Sequence, residues 1–257
     1  MVVATFNAAG IRARLSGVLD WLAENQPDLL AVQETKVEDD KFPIAEFEEL
    51  GYNVAFSGQK SWNGVAILAR GPVTGVRRGF QDPRFPEDAR ILTGEVGGVT
   101  FINTYVPNGS AIGTDKFDYK LRWLEQFRTF LDQNYSPTQP MVWLGDINIA
   151  PTDDDVFDPK RHRGKVGFHP DELSALASIL DWGWVDLFRL HTEGPGHYTF
   201  WEFTIPKSVE RNLGWRIDHI YATASVAETC GKCWVDRDAR SAERPSDHTY
   251  VLADLRL

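Results

Sequence analysis

Short runs of β-branched and aromatic residues alternate along the chain with segments whose apolar residues recur every three or four positions. The first kind predicts strands over Val2–Asn7, Leu29–Glu34, Tyr52–Ser57, Val65–Ala69, Ile91–Val96, Val99–Tyr105, Met141–Asp146, Tyr198–Phe203, Asp218–Ala222 and Tyr250–Leu255. The second predicts helices: Leu15, Val18, Leu19 and Leu22 make one apolar stripe, and Leu173, Leu176, Ala177 and Leu180 another. A third helix covers Tyr119–Leu131. Strands and helices interleaved in this way belong to an α/β sandwich rather than to an all-α or all-β domain.

Polar residues stand at the ends of these runs. Asn7, Glu34, Tyr105, Asp146 with Asn148, and Asp247 with His248 each close a strand or sit in the turn beside one. Strand ends converge in such a sheet, and the loops there carry chemistry on a rigid scaffold.

At 257 residues and 42% hydrophobic content, the chain is long enough for one large α/β domain, expected over 1–257 because no flexible or single-sign charged linker interrupts it. The opening MVVATFNAAG has no basic leader, and no stretch nears the roughly 18 apolar residues of a membrane span. A cytoplasmic protein without a membrane role is expected. Cys230 and Cys233 are the two cysteines, too few for a disulfide framework and without a second Cys/His pair to complete a zinc finger. We read them as ordinary half-buried thiols.

The formal charge of −10 runs against the basic footprint expected of a nucleic-acid binder. A metal site nevertheless needs a concentration of carboxylates. Basic residues also cluster locally, in Arg77-Arg78, in Lys160-Arg161-His162-Arg163 with Lys165, and in Arg211 with Arg216.

Three motifs carry chemistry. Leu29-Leu-Ala-Val-Gln-Glu34 is an apolar run ending in a carboxylate, a hard oxygen ligand of the kind Mg²⁺ takes once or twice from a protein. In Gly145-Asp146-Ile-Asn148 an acid and an amide two residues apart, if extended, point to one side, where they can orient a water and donate to a phosphate oxygen. Ser246-Asp247-His248 supplies an imidazole, for which Asp218 in Gly214-Trp-Arg-Ile-Asp218 is a candidate orienting partner.

Taken in order, Thr5-Phe-Asn7, Gln33-Glu34-Thr-Lys36, Asn63-Gly-Val65, Tyr105-Val-Pro-Asn108-Gly, Gly145-Asp-Ile-Asn148, Tyr198-Thr-Phe-Trp201, Gly214-Trp-Arg-Ile-Asp218 and Ser246-Asp-His248 resemble the exonuclease III family of AP endonucleases, within the endonuclease/exonuclease/phosphatase superfamily. The resemblance implies a four-layer α/β sandwich of two packed mixed sheets flanked by helices. It implies a Mg²⁺-dependent nuclease, with Mn²⁺ able to substitute, which cuts 5′ to abasic sites in double-stranded DNA and works at 3′ ends as a 3′→5′ exonuclease. A nucleoid-associated monomer is expected. By resemblance Glu34 is the principal metal ligand, with Asn7, Asp247, Asp146, Asn148 and His248 around the metal or its waters. Asp146 activates or orients the attacking water, Asn148 stabilises the transition state, Tyr105 contacts the scissile phosphate, and His248, oriented by Asp218, binds a phosphate oxygen or exchanges a proton, with the general base open between Asp146 and His248. Phe200, Trp215 and Ile217 match the family's apolar pocket for the extrahelical sugar, and Asn108 joins the substrate side. The chain departs from the family at Ala9, where a second amide or acid usually stands. Two other readings are a phosphatase or phosphodiesterase for a small phosphoester on the same machinery, and a noncatalytic module that has kept the fold.

Overall fold

In the computed structural model, which describes residues 1–85 and 88–257, the strands gather into two six-stranded sheets. The first runs, in spatial order, β11 (Cys230–Asp236), β12 (Tyr250–Leu255), β1 (Val2–Asn7), β2 (Leu29–Gln33), β4 (Val65–Ala69) and β3 (Asn53–Ser57). The second runs β5 (Thr74–Arg78), β6 (Ile91–Val96), β7 (Val99–Tyr105), β8 (Met141–Asp146), β10 (Asp218–Thr223) and β9 (Trp184–Asp186). Both are mixed. The pairs β1/β2 and β7/β8 are parallel. Parallel neighbours need a crossover, supplied here by helices α1 (Ile11–Asn25) and α3 (Asp115–Asn134).

Val3, Leu29 and Ile67 of the first sheet meet Phe101, Leu144 and Ile220 of the second in the central core. On the outer face of the first sheet, Val18, Trp21 and Leu22 of α1 and Phe47 of α2 (Ile44–Glu49) pack on Phe6 and Leu30. On the outer face of the second, Trp123, Phe127 and Phe130 of α3 and Leu176 of α5 (Pro170–Leu180) pack on Ile102 and Trp143. The result is the four-layer sandwich that the resemblance implies. Among the described residues no helix is long and apolar enough to cross a membrane.

The two-residue period of a strand decides where the polar groups go. Val3 faces the central core, so Thr5 and Asn7 continue that face. By the same parity Gln33 follows Ala31, Asn103 and Tyr105 follow Phe101, Asp146 follows Leu144, and Asp218 precedes Ile220. The inner faces of both sheets therefore turn from apolar to polar at one end. Just inside that end, Gln33 Nε2 donates to Thr5 Oγ1 at 2.9 Å and to Asn103 Oδ1 at 2.7 Å, and Asn103 Nδ2 donates to the carbonyls of Val32 (3.0 Å) and Ala66 (2.8 Å). This satisfied cross-link fixes the spacing of the two sheets beneath Asn7, Tyr105, Asp146 and Asp218. Within the second sheet Gly145 permits the close approach of β8 to β7, since a Cβ at its φ of +142° would lie 2.0 Å from the Thr104 carbonyl oxygen.

Several elements differ from the sequence reading. Tyr198–Phe203 is not a strand; only Phe200 forms isolated bridges, to Trp215 on one side and His248 on the other. Tyr198 and Trp201 are buried and the Phe200 ring lies against His248, so these aromatic residues serve packing and not a ladder. Strands β5, β9 and β11 were not anticipated, and all three are sheet edges. An edge strand lacks burial on both faces, so Thr74-Gly-Val-Arg-Arg78 carries no alternation to read. Cys233 is fully buried rather than half-buried, Cys230 is partly exposed, and both are free.

Candidate active site

The polar end of the sandwich centres on His248. Its Nδ1 pairs with Asp218 Oδ2 at 2.8 Å, while its Nε2 stands 3.8 Å from Asp146 Oδ2. The three side chains are 6%, 0% and 1% exposed, so their charges act on each other without much help from water. Burial by itself favours a neutral imidazole, but Asp218 and then Asp146 outweigh it and raise His248 above its ordinary value. Burial also raises Asp146, with His248 opposing and Asp218 and Glu34 adding to the shift. A carboxylate is thus made more basic beside an imidazole made harder to deprotonate. The segment is pinned to the end of β1, because Ser246 Oγ donates to the Asn7 carbonyl at 2.7 Å and accepts from His248 N at 3.2 Å.

Asn7 joins this group to Glu34. Its Nδ2 donates to Glu34 Oε1 at 2.9 Å and to Asp146 Oδ2 at 2.8 Å, and its Oδ1 accepts from Ala9 N at 2.9 Å. In this arrangement Asn7 clamps two carboxylates as a donor. Ala9 contributes its backbone alone. Glu34 lies just past β2 with φ of +51°, a left-handed kink that carries its side chain out of the ladder. Burial opposes its ionised form, but the hydrogen bond from Asn7 and the Lys36 ammonium, 2.6 Å from Oε2, lower its pKa overall. Asp247 is partly exposed, with Oδ1 3.3 Å from Ser246 Oγ.

The donor set suits a hard divalent cation. Glu34 opens onto a cleft of about 430 Å³ that Lys36, Asn63, Tyr105 and Asn108 also line. Glu34 is the carboxylate on that cleft, with Oε1 held by Asn7 and Oε2 by the Lys36 ammonium, a positive charge of the kind a cation would bring. Ligand atoms of Asp146, Asp218 and His248 also lie within 4.8 Å of one another. There, however, His248 Nδ1 is already committed to Asp218, which leaves Nε2 and the carboxylate oxygens as the atoms open to a cation.

Asn108 lines the same cleft and is bonded to the buried Asn148. Asn148, with φ of +53°, donates its backbone N–H to Asp146 Oδ1 at 2.9 Å and its Nδ2 to the Val106 carbonyl at 2.9 Å, leaving one amide proton over. Its Oδ1 accepts from Asn108 Nδ2 at 3.0 Å. Burial, then the Glu34 and Asp146 charges, raise the Tyr105 hydroxyl far above the usual phenol range, which keeps it a donor. The Arg90 guanidinium sits 4.7 Å over the Tyr105 ring.

Beside the Asp146, Asp218 and His248 trio stand Phe200, Trp215 and Ile217. The Phe200 ring lies 4.9 Å from His248, and Trp215 meets His162 edge-on at 5.1 Å. Both are half-buried, whereas Ile217 is packed among Ala150, Val156 and Phe168. Thr199 Oγ1 holds the segment by accepting from Ile217 N and Asp218 N, each at 3.1 Å. Arg216 does not belong to a basic surface with Arg211. It is buried, with Nε 2.6 Å from Asp155 Oδ1 and NH2 2.8 Å from Asp186 Oδ2. The basic run around helix α4 (Pro159–His162) does flank the aromatic wall, with Lys160, Arg161 and Lys165 exposed and Arg163 paired to Asp153. Sequence reasoning gave no role to Ser246, Thr199 or Lys120. A signal existed for Lys120, a lysine in the stripe of Phe117, Trp123, Leu124 and Phe127 on α3.

Comparison with known proteins agrees with this geometry. The model of the Endonuclease/Exonuclease/phosphatase family matches residues 4–248. Exodeoxyribonuclease III of Haemophilus influenzae is 33% identical over 264 residues, covering 98% of each chain. An AP endonuclease from Archaeoglobus fulgidus superposes with a TM-score of 0.95 at 41% identity over the whole of both chains. A 3′ phosphatase from Neisseria bound to a product DNA hairpin superposes with a TM-score of 0.93 at 36% identity, again over the whole of both chains.

Proposed function

The chain belongs to the endonuclease/exonuclease/phosphatase family, and from that premise we propose that this DNA-repair nuclease hydrolyses the phosphodiester 5′ to abasic sites in duplex DNA and trims 3′ ends, as a monomer using Mg²⁺, which Mn²⁺ can replace. The observation that carries the reading is the Asp218–His248–Asp146 relay tied through Asn7 to Glu34 at one end of the sandwich.

Glu34 and Asp247 would hold the cation, which when bound offsets charge on the phosphoryl oxygens and the leaving 3′ oxygen. Asp146, made basic by burial, orients a water in line with the phosphorus and accepts its proton. His248, kept cationic by Asp218, donates to a phosphate oxygen. Asn148 uses its remaining amide proton, and Tyr105 its hydroxyl, on the charge that develops in the transition state. A phosphatase for small phosphoesters would need the same groups, but not the exposed Lys160, Arg161 and Lys165 beside the aromatic wall, which suit a polyanion.

Substrate choice rests on Phe200, Trp215 and Ile217 acting by exclusion. A deoxyribose without a base fits between them, whereas an intact nucleotide must be unstacked at a cost of a few kcal/mol and then clashes. Trp215→Ala or Phe200→Ala is expected to lower the ratio of abasic incision to cleavage at intact nucleotides about tenfold, or ~1.4 kcal/mol of discrimination. Single-turnover rates on matched abasic and undamaged duplexes, with a melting curve for each variant, give the test. An unchanged ratio in a destabilised protein would make these residues core and not wall.

A further inference from the structure

Lys120 is 0% exposed, yet it carries an ammonium with three protons, and it meets three acceptors. Its Nζ pairs with Glu172 Oε1 and donates to the backbone carbonyl of Asn148 at 2.8 Å and to that of Asn108 at 3.3 Å. Glu172, equally buried, also accepts from Gly167 N at 2.8 Å and His169 N at 3.1 Å. Burying such a pair is costly, and a well-packed apolar pair of similar volume often holds a fold as well or better. The contacts therefore call for something besides stability. They run to the two turns whose amide side chains are bonded to each other at 3.0 Å, Asn108 on the Glu34 cleft and Asn148 with its backbone N–H on Asp146. Asn148 is held there in a left-handed conformation, which an asparagine tolerates but does not require, so its carbonyl needs an anchor.

We propose that Lys120 is a positioning residue for the hydrolysis, its ammonium fixing the backbones of Asn108 and Asn148 from beneath so that the Asn148 amide meets the phosphate, with Glu172 compensating the buried charge. This rests on the active-site reading above. A shift of about 1 Å in a group that contacts the transition state is worth up to about a hundredfold in rate, whereas DNA binding, spread over many contacts, should hardly notice it.

The test is single-turnover incision of a duplex with one abasic analogue at saturating enzyme, expressed per folded molecule, together with the Kd for the same duplex. In Lys120→Met/Glu172→Gln both charges go and the methionine fills the volume. This variant should melt cooperatively, incise about thirtyfold more slowly than wild type, and bind with Kd changed by less than about threefold. Introduced into an Asn148→Ala background, the same pair of changes should cost less than about threefold further, since both routes act through one amide. An incision rate within about threefold of wild type would overturn the proposal, as would a full thirtyfold loss in the Asn148→Ala background. If the neutral pair does not fold, Lys120→Arg keeps a cation against Glu172. Its planar fork cannot reproduce the three-way bond, so the same loss of rate is expected, and a wild-type rate in a folded Lys120→Arg protein overturns the idea. A wild type that fails to incise would instead bring down the functional reading and this inference with it, a result distinct from an active variant beside an active wild type.

Discussion

Asp146→Asn and His248→Ala are each expected to lower turnover on abasic DNA by about two or more orders of magnitude while leaving DNA binding largely intact. The asparagine keeps the shape of the aspartate and can still meet Asn148 N, but it cannot accept a proton from water, and its amide loses the attraction to the imidazole 3.8 Å away. The histidine variant removes the cationic imidazole that we propose donates to the phosphate. It also leaves Asp218 buried, with one oxygen already unpartnered and the other deprived of Nδ1. Some stability goes with it, so rates must be taken per folded molecule. Near-normal single-turnover rates in either variant would remove that residue from the mechanism.

The second large effect is on stability and concerns the ionic network under the aromatic wall. Asp155→Ala is expected to cost about 3–5 kcal/mol, because it leaves Arg216 without its closest anion at 1% exposure. Asp155 also receives Arg189, and its backbone carbonyl accepts from Arg216 N at 2.9 Å, so the loss should loosen the strip that carries Trp215 and Ile217. Burial opposes the ionised form of Asp155, but Arg216 holds its pKa well below the usual carboxylate range. A depressed folded pKa contributes stability that is present above the ordinary aspartate pKa of about 3.9 and is lost as the pH falls further. Thermal melts of wild type and variant should therefore differ widely at neutral pH, and the gap should narrow in acid, below about pH 4. A loss under about 1 kcal/mol at pH 7 would mean that the network contributes no more than surface pairs do.

How much of this was legible in the sequence depended on burial. Strands apolar on both faces, such as Leu29–Gln33 and Met141–Asp146, announce themselves, and the polar residues that end them stand out for the same reason. Period-two parity then explains why Asn7, Tyr105, Asp146 and Asp218 share one face. Beyond the Asp218–His248 pair, contacts between segments far apart in the chain are not legible. Nothing local shows that Arg216, two residues before Asp218, points away into Asp155 and Asp186 while its neighbour Trp215 meets His162 and its neighbour Ile217 packs among Ala150, Val156 and Phe168. The direction of the Asn7 amide is equally hidden, since it depends on Glu34 and Asp146 arriving from other strands. Tyr198–Phe203 has strand composition because its aromatics are packed, although its backbone bonds are split between Trp215, Asp247 and Thr249. A single lysine in an apolar helical stripe is compatible with a snorkelling side chain, and the three acceptors of Lys120 come from other segments, so nothing local marks it.

Incision of a duplex bearing one abasic analogue, with Mg²⁺ or with a chelator, tests the central claim most directly. The predicted result is a cut 5′ to the lesion in Mg²⁺, a loss of about a hundredfold or more in chelator, and recovery when Mg²⁺ or Mn²⁺ is restored. Full incision in chelator, or an intact duplex under both conditions, would contradict it.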